Sequence, residues 1–289
     1  MPDQKIIDSQ KNNIKQPDQL IDFHVHLFPD RLFDAIWQYF SSVYHWKILH
    51  CMYAGDCIQY LFQKNVRPFV YSNYAHKKDV AQGLNQWNKK LLDKYDDIYC
   101  FAAFHPDDDN AIGIAKDILD HPKVLGIKLQ FLVTQFYPHD ERLFPLYELI
   151  MKKNKRLLLH VGTGPAGNPY VGADQLEIVL KKYHELPANI AHMGGFEYQQ
   201  FMDFLGSYEN LFLDTTFSFL PKKELHFDLD ASWLLKYQDR IVYGSDFPNV
   251  IYPRETEIEN LMKLNLNPEF YDRIFYKNGM HLIQTIAGS

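Results

Sequence analysis

The chain contains little cysteine, and its cysteines are poorly spaced for a shared structural role. Only three of its 289 residues are cysteines, Cys51, Cys57 and Cys100. An odd number without any Cys-x-x-Cys spacing argues against both a disulfide framework and a thiolate zinc site. We therefore expect reduced thiols that pack as ordinary core residues.

The sequence also lacks a basic excess and a long hydrophobic run. Its formal net charge is −6 at pH 7, and no cluster of lysine and arginine is interleaved with aromatic residues, so nucleic-acid binding is not expected. No stretch is long enough to span a bilayer, and the polar residues 1–19 lack the apolar core of a signal peptide. We expect a cytoplasmic protein with a polar leader over residues 1–19, one domain over residues 20–289, and no membrane partner.

Short apolar runs are abundant and recur along the chain. Eight of them predict strands, and most are separated by one segment with helical spacing. The predicted strands cover residues 20–26, 67–72, 98–104, 126–131, 156–161, 189–192, 211–214 and 240–246. The predicted helices include residues 79–95, 111–120, 141–154, 173–185 and 197–208.

This alternation predicts an α/β protein with a parallel sheet, since right-handed crossovers join successive parallel strands. Eight repeats in a chain near the typical ~250 residues favour a closed (β/α)8 (TIM) barrel over an open sheet. The absence of a Gly-x-Gly-x-x-Gly motif after the first strand weakens the dinucleotide-binding alternative.

One unit of the predicted barrel is too long. Residues 27–66 form an insertion after strand one, and its segment 32–46 is rich in aromatic residues. An insertion at a strand end can cover the site as a lid or mediate dimer contacts, whereas the alternative is extra packing outside the barrel. The sequence gives no preference between these placements.

His24 and His26 are the first candidate ligands of a metal. Alternation along a strand sends both imidazoles to one face, which makes half a metal site; an unrelated pair of histidines is the alternative. Later strand ends add further polar groups, at Lys128, His160, His192 and Asp246. Because the carboxyl ends of barrel strands meet at one mouth, we expect these residues to converge there.

Three other residues are weaker candidates for contacting a substrate. Asn73 follows strand two, His105 follows strand three, and Tyr170 ends the glycine-rich loop 162–170, which we interpret as a substrate loop. For each of them an ordinary loop role is the alternative. The eight remaining histidines, His76 among them, are interpreted as surface or packing residues.

These motifs together resemble those of the amidohydrolase superfamily, in particular the amidohydrolase-related (amidohydrolase 2) group with the aminocarboxymuconate semialdehyde decarboxylase-like proteins. The motifs that carry the resemblance are Asp-Phe-His-Val-His at 22–26, Gly-Ile-Lys-Leu at 126–129, His-Val-Gly-Thr-Gly at 160–164, His-Met-Gly-Gly at 192–195 and Tyr-Gly-Ser-Asp-Phe-Pro at 243–248. The resemblance implies a metal-dependent barrel enzyme, usually with zinc, and suggests a homodimer.

The resemblance also implies roles for single residues. His24, His26 and His160 resemble the imidazole ligands of the metal, and Asp246 resembles its carboxylate ligand and proton shuttle. Catalytic zinc with an open position lowers the pKa of its water to about 7. His192 takes the position of a histidine that is not a ligand, where it polarises a substrate carbonyl or protonates a carbanion.

Lys128 leaves three alternatives open. In binuclear relatives such a lysine is carboxylated and bridges two metals, with the histidines at 160 and 192 binding the second ion. In mononuclear relatives it is a cation for a substrate carboxylate, and a simple ion pair with a neighbouring carboxylate is the third alternative. We favour one divalent metal, zinc, with manganese or a binuclear site as alternatives.

The function expected from these residues is hydrolysis of an amide, lactone or ester of a small organic molecule. The alternative is non-oxidative decarboxylation of a small unsaturated or aromatic acid, because the same ligands serve both reactions within the group. A barrel that only binds its ligand is the third possibility, and the filled ligand positions argue against it.

Overall fold

The computed structural model describes residue 17, residues 19–221 and residues 226–288. The predicted leader therefore lies almost entirely outside the described residues. Eight parallel strands form one sheet in chain order, β1 to β8. They are Leu20–His26, Val66–Ser72, Ile98–Ala103, Val124–Gln130, Arg156–His160, Ala188–Ile190, Leu211–Asp214 and Ile241–Val242. The predicted (β/α)8 barrel is confirmed.

Helices alternate with the strands, and most of them cover the outside of the sheet. In chain order, α1 to α12 are Asp30–Val43, Ala54–Gln63, Ala81–Lys94, Ala111–Leu119, Phe131–Thr134, Phe144–Lys152, Ala173–Lys182, Tyr198–Ser207, Ala231–Lys236, Glu255–Met262, Pro268–Asp272 and Asn278–Ala287. None of the described helices is both long enough and apolar enough to cross a lipid bilayer.

Backbone hydrogen bonds join β1 to the segment that follows β8. The amide of Phe23 donates to the carbonyl of Tyr243 over 2.8 Å, and the amide of Asp246 donates to the carbonyl of His24 over 2.8 Å. The amide of His26 then donates to Phe247 over 2.7 Å. These bonds close the barrel and bring both histidines next to Asp246.

The barrel interior is apolar at its amino-terminal end. Ile21, Phe23 and Phe101 belong to a buried cluster there, against which α12 packs Ile283 and Ile286. The amine of Lys155, just before β5, donates to the carbonyl of Ile286 over 3.4 Å. Helix α12 therefore closes the amino end of the barrel, and the polar strand ends face the other way.

Four predicted strands, β3, β5, β6 and β8, are longer than the observed ones, and at β6 and β8 the difference moves a candidate site residue out of the strand. Strand β8 ends at Val242, and β6 ends at Ile190, so that His192 lies in the 3-10 turn Ala191–Gly194. Both Asp246 and His192 have left-handed backbone angles, with φ of 63° and 58°. A strand cannot continue through that conformation, and such angles are common where side chains are held for function.

The expectation of buried thiols holds for two of the three cysteines. Cys57 and Cys100 are buried, and burial raises the pKa of each thiol, whereas Cys51 is exposed in the insertion. Apolar burial keeps the first two protonated and unreactive.

Candidate active site

A cavity of about 490 Å³ opens at the carboxyl end of the barrel. The strand ends and the loops after them supply its polar lining, and the insertion supplies most of its aromatic walls. The polar lining residues are His26, His76, Gln130, Gln135, His160, His192, Thr216, Asp246 and Asn249. The aromatic walls include Phe28, Tyr39, Phe40, Tyr44, Trp46, Tyr74 and Phe217. The volume is in the range of small-molecule sites.

Two imidazoles and one carboxylate converge beside this cavity: His26 and Asp246 line it, and His24 is fully buried behind them. Nε2 of His26 lies 3.1 Å from Oδ1 of Asp246, and Nε2 of His24 lies 3.5 Å from the same oxygen. One potential ligand atom from each of the three residues lies within 4.8 Å of the other two. The two histidines expected to share a face of β1 thus face one point together with Asp246.

The protonation states suit a cation. Burial, together with the charge of Lys128, lowers the pKa of His24 to about 4. Burial raises the pKa of Asp246, but the nearby His26 and His24 outweigh it and hold that pKa below its usual range. A metal binds neutral imidazole and ionised carboxylate, so His24 and Asp246 need no costly proton exchange before binding. Imidazole and carboxylate ligands fit zinc, and manganese is compatible with the carboxylate.

A second carboxylate, Asp214 at the end of β7, orients His24. Its Oδ2 accepts a hydrogen bond from Nδ1 of His24 over 2.8 Å, and its Oδ1 accepts from the amide of His192 over 2.9 Å. This leaves Nε2 of His24 unprotonated and directed at Asp246, an arrangement typical of metal-binding histidines. Sequence reasoning identified Asp214 only as the last residue of a strand.

His160 and His192 form a separate pair beside this group. Nε2 of His192 lies 3.1 Å from Nδ1 of His160, and Nε2 of His160 donates to the carbonyl of Gly164 over 3.1 Å. Burial lowers the pKa of both imidazoles. Both rings line the cavity, but His160 stands outside the group of three and its predicted role as a ligand stays a prediction.

Lys128 is buried below the cavity. Its Nζ lies 3.3 Å from Nε2 of His24. Burial lowers the pKa of this amine to about 8, although Asp214 and Asp246 favour its charged form. The lysine contacts the candidate ligands and is not part of the cavity wall.

The three weaker candidates all lie outside the cavity lining. Asn73 is fully buried, and its Nδ2 donates to the carbonyl of Leu27 over 3.2 Å. Nδ1 of His105 accepts a hydrogen bond from the amide of Asp107 over 3.2 Å, which is a local turn contact. The ring of Tyr170 packs against the ring of Tyr137, with the two ring centroids 4.8 Å apart.

Sequence reasoning missed several polar residues that line the cavity, among them His76, Gln130 and Asn249. His76 lines it, although it was expected to be a surface or packing residue. Gln130 and Asn249 also line it, and their side-chain oxygens are buried without a hydrogen-bond partner among the described residues. Gln130 ends β4, and that position was the available signal; Asn249 follows a turn that gives no such signal.

The insertion lies over the mouth of the barrel. The ring of Trp46 stacks on Phe217, which follows β7, with centroids 5.9 Å apart and an interplanar angle of 18°. The amide of Leu49 donates to the carbonyl of Val250, after β8, over 3.0 Å. Of the placements open at the sequence level, the structure therefore has the insertion covering the cavity.

The geometry can be compared with known proteins. A family model described as amidohydrolase matches residues 21–282 of this chain. No curated protein sequence matches it. The chain is similar in fold to several solved structures.

Three solved structures represent the similarity. A TIM-barrel protein from Bordetella bronchiseptica has a TM-score of 0.72 and 16% identity, covering 94% of this chain and 100% of its own. A second structure is a 5-carboxyvanillate decarboxylase from Novosphingobium aromaticivorans, complexed with manganese and 4-hydroxy-3-methoxy-5-nitrobenzoic acid. It has a TM-score of 0.68 and 13% identity, and the match covers 92% of this chain and 96% of the decarboxylase chain. A protein from Pseudomonas putida assigned as a 2-pyrone-4,6-dicarboxylic acid hydrolase has a TM-score of 0.62 and 16% identity, covering 92% and 98%. At these identities the likeness concerns the fold.

Proposed function

Because this chain belongs to the amidohydrolase family, we propose that it is a metal-dependent hydrolase that adds water to the carbonyl carbon of a small ester, lactone or amide. The observation that carries the proposal is the convergence of His24, His26 and Asp246 beside a cavity that His26, Asp246 and His192 line.

One divalent metal, zinc in the first place, fits the three converging residues. Nε2 of His24, Nε2 of His26 and Oδ1 of Asp246 would hold it, with His160 as a further candidate ligand. When bound there, such an ion acts as a Lewis acid and lowers the pKa of water.

Asp246 would move the proton of the reaction. Its carboxylate takes a proton from the attacking water while the oxygen of that water bonds to the carbonyl carbon. The acyl C–O or C–N bond then breaks, and Asp246 returns the proton to the leaving alcohol or amine. One water is consumed and one acid is formed, so Asp246 ends in its starting state. The carboxyl of Asp246, with its lowered pKa, is ionised at neutral pH and is therefore in the form that can accept a proton.

His192 would stabilise the carbonyl oxygen as negative charge develops on it. Its ring lines the cavity, and its backbone is held by Asp214. A fixed donor at that position acts on the transition state without further rearrangement, and loss of one such donor typically costs about 10²–10³ in kcat.

The first test is metal content together with hydrolysis of a panel of esters, lactones and amides. We expect about one zinc per chain and activity that a chelator abolishes. His192→Ala should keep the metal and lose about 10²-fold or more in kcat, whereas His281→Ala, an exposed histidine on α12, should change neither. A His192→Ala variant with full metal and full activity would refute the role of His192.

The second candidate is non-oxidative decarboxylation, the reaction named for the 5-carboxyvanillate decarboxylases of similar fold. The position of His192 in the cavity supports it, because an imidazole there can protonate the carbon from which carbon dioxide leaves. Release of carbon dioxide from aromatic acids, with no hydrolysis across the panel, would replace the first proposal by the second.

A further inference from the structure

One face of helix α1 forms an apolar wall of the cavity. The residues of this wall follow one another at the spacing that places side chains on the same side of a helix. They are Leu32, Ala35, Ile36, Tyr39 and Phe40. The wall covers about two turns of helix and is about 12 Å long. Its length is comparable to that of an extended octanoyl chain.

The neighbouring side of α1 is packed into the protein and fixes the position of the wall. Phe33 is fully buried. Its ring stacks on Trp37, with centroids 5.1 Å apart and an interplanar angle of 18°, and meets the ring of Phe28 edge-on at 5.7 Å. Phe28 in turn stacks on His26, with centroids 5.9 Å apart and an interplanar angle of 16°. The apolar wall is therefore held next to one of the three converging residues.

Apolar side chains also form part of the rim of the cavity. Tyr39 on α1 is 49% exposed, Val133 on α5 is 38% exposed, and Phe196 after β6 is 45% exposed. All three line the cavity. Water in contact with apolar side chains is displaced favourably by an apolar group of a ligand. Because these residues reach both the cavity and the solvent, a chain that follows the wall can continue towards the mouth.

From these three features we infer that the substrate is an ester or amide of a medium-chain aliphatic acid, whose acyl chain lies along α1. The reacting carbonyl is placed beside His26 and Asp246, where the wall begins, and the end of the chain lies at the apolar rim. The inference rests on the proposed function, since it assigns a substrate class to the same site. One water is consumed in the reaction, and a medium-chain acid is released with the alcohol or amine.

Selectivity in turnover is tested with esters that share one leaving group and differ in chain length. The p-nitrophenyl esters of acetate, butanoate, hexanoate and octanoate form such a series, and each kcat/KM is divided by the rate constant for alkaline hydrolysis of the same ester. We expect this ratio to rise about twofold to fourfold for each added methylene. Equal ratios, or a fall with chain length, would overturn the inference and leave the hydrolase proposal intact.

Binding gives a readout that needs no catalysis. Isothermal titration calorimetry on the protein as purified compares butan-1-ol, hexan-1-ol and octan-1-ol, which share a hydroxyl group and cannot be hydrolysed. We expect the dissociation constant to fall by about tenfold or more from butan-1-ol to octan-1-ol. If it does and none of the esters is hydrolysed, the inferred chain site stands and the hydrolase proposal fails. Equal dissociation constants, or no binding of octan-1-ol, would overturn the inference.

A large side chain on the cavity face of α1 should block the acyl chain. Ala35 is exposed and lines the cavity, so a ring placed there occupies the wall without entering the protein core. In Ala35→Phe we expect the preference for octanoate over acetate, measured as the ratio of their kcat/KM values, to fall by about tenfold or more. The matched control is Gln38→Phe, an exposed position of the same helix outside the described lining, where the preference should stay at the parent value. An unchanged preference in Ala35→Phe would contradict the placement of the chain along α1.

The rim is tested separately. Phe196→Ser should lower the preference for octanoate over acetate by about threefold or more, because apolar contact with the end of the chain is lost. Ile178→Ser is the matched control, since Ile178 is 51% exposed on α7 and lies outside the described lining. A second copy of this chain is the other occupant for such a rim. If Phe196→Ser turned a dimer into a monomer in sedimentation velocity and left the preference unchanged, the rim would be a subunit contact, and the inferred path of the chain would be wrong.

Discussion

At the scale of single residues, Asp214 decides which nitrogen of His24 is free for a metal. Its carboxylate binds Nδ1 of His24, so Nε2 is the atom directed at Asp246. Asp214→Asn keeps the shape and removes the charge, so the imidazole loses both its fixed orientation and part of its basicity. We expect zinc affinity to fall about 10–100-fold, measured by competition with a chromophoric chelator.

The matched control for this substitution is Asp239→Asn. Asp239 is a surface carboxylate paired with Arg273 and has no contact with the site. Zinc affinity should be unchanged in this variant. If Asp214→Asn also left it unchanged, the orientation of His24 would have to come from its packing alone.

A second residue, Glu257, makes stability depend on pH. Burial raises the pKa of this carboxyl well above its usual range, although its Oε1 accepts a hydrogen bond from the amide of Phe219 over 3.2 Å. The folded protein therefore holds this proton at pH values where the unfolded chain has released it, above about pH 4.3. The stability that the group contributes is complete below that pH and is lost as the pH rises towards the folded pKa.

Glu257→Gln removes this titration. We expect the free energy of unfolding, measured by urea denaturation, to fall less between about pH 5 and about pH 8 in the variant than in the parent, by about 1 kcal/mol or more. Glu259→Gln, an exposed glutamate on the same helix, should follow the parent. Parallel curves for Glu257→Gln and the parent would contradict the prediction.

Sequence reasoning found the residues that are marked by their position in the sequence. It missed those whose role depends on a contact in the folded structure. His24, His26 and Asp246 interrupt apolar runs near strand ends. A polar side chain in such a run is costly to bury, so its presence indicates a binding partner or a function. Asp214 ends its strand in the same way, but one carboxylate does not tell a ligand from a residue that orients a ligand. That distinction depends on a 2.8 Å contact with His24, between residues far apart in the chain.

At the scale of elements, glycines set how closely β4 and β5 approach. A Cβ built at Gly126 would lie 1.7 Å from the carbonyl oxygen of Arg156, a backbone atom that cannot move aside cheaply. Gly126→Ala should therefore destabilise the protein by about 3 kcal/mol or more. Thermal unfolding followed by circular dichroism measures the loss.

Gly83 provides the opposite case on α3. A Cβ there meets nothing within 4 Å, and alanine is a better helix former than glycine. Gly83→Ala should stabilise the protein by about 0.5–1 kcal/mol. If Gly126→Ala lowers the free energy of unfolding and Gly83→Ala raises it, the steric effect at the first position is distinguished from the backbone-entropy effect at the second. A lower free energy of unfolding in both variants would mean that α3 is more tightly packed than the structure indicates.

Most strands and helices could be predicted from the sequence, because the spacing of apolar residues and the glycine or proline residues that end each run are local signals. The errors lie where tertiary contacts end an element, as at β6 and β8. Asp214 binds the amide of His192, and the carbonyl of His24 binds the amide of Asp246. The placement of the insertion over the mouth was equally inaccessible, since it rests on Trp46 meeting Phe217 from a distant part of the chain.

At the scale of the whole molecule, stability and chemistry are concentrated at opposite ends of the barrel. Helix α12 packs Leu282, Ile283 and Ile286 against the apolar interior near the strand starts. The converging histidines and Asp246 lie at the strand ends, and no residue of α12 lines the cavity. A change in α12 should therefore weaken the fold without altering the site.

Ile283→Ala tests this separation. The side chain is 3% exposed, so its truncation leaves a cavity and should lower the free energy of unfolding by about 2–5 kcal/mol. At a temperature where the variant remains folded, kcat/KM for the best substrate of the ester, lactone and amide panel should stay within about twofold of the parent, because the reacting groups lie at the other end of the barrel, beyond the apolar interior. A large loss of kcat/KM in folded Ile283→Ala would mean that packing at the closed end of the barrel sets the positions of His24 and His26 on β1, and that the two ends are coupled through that strand.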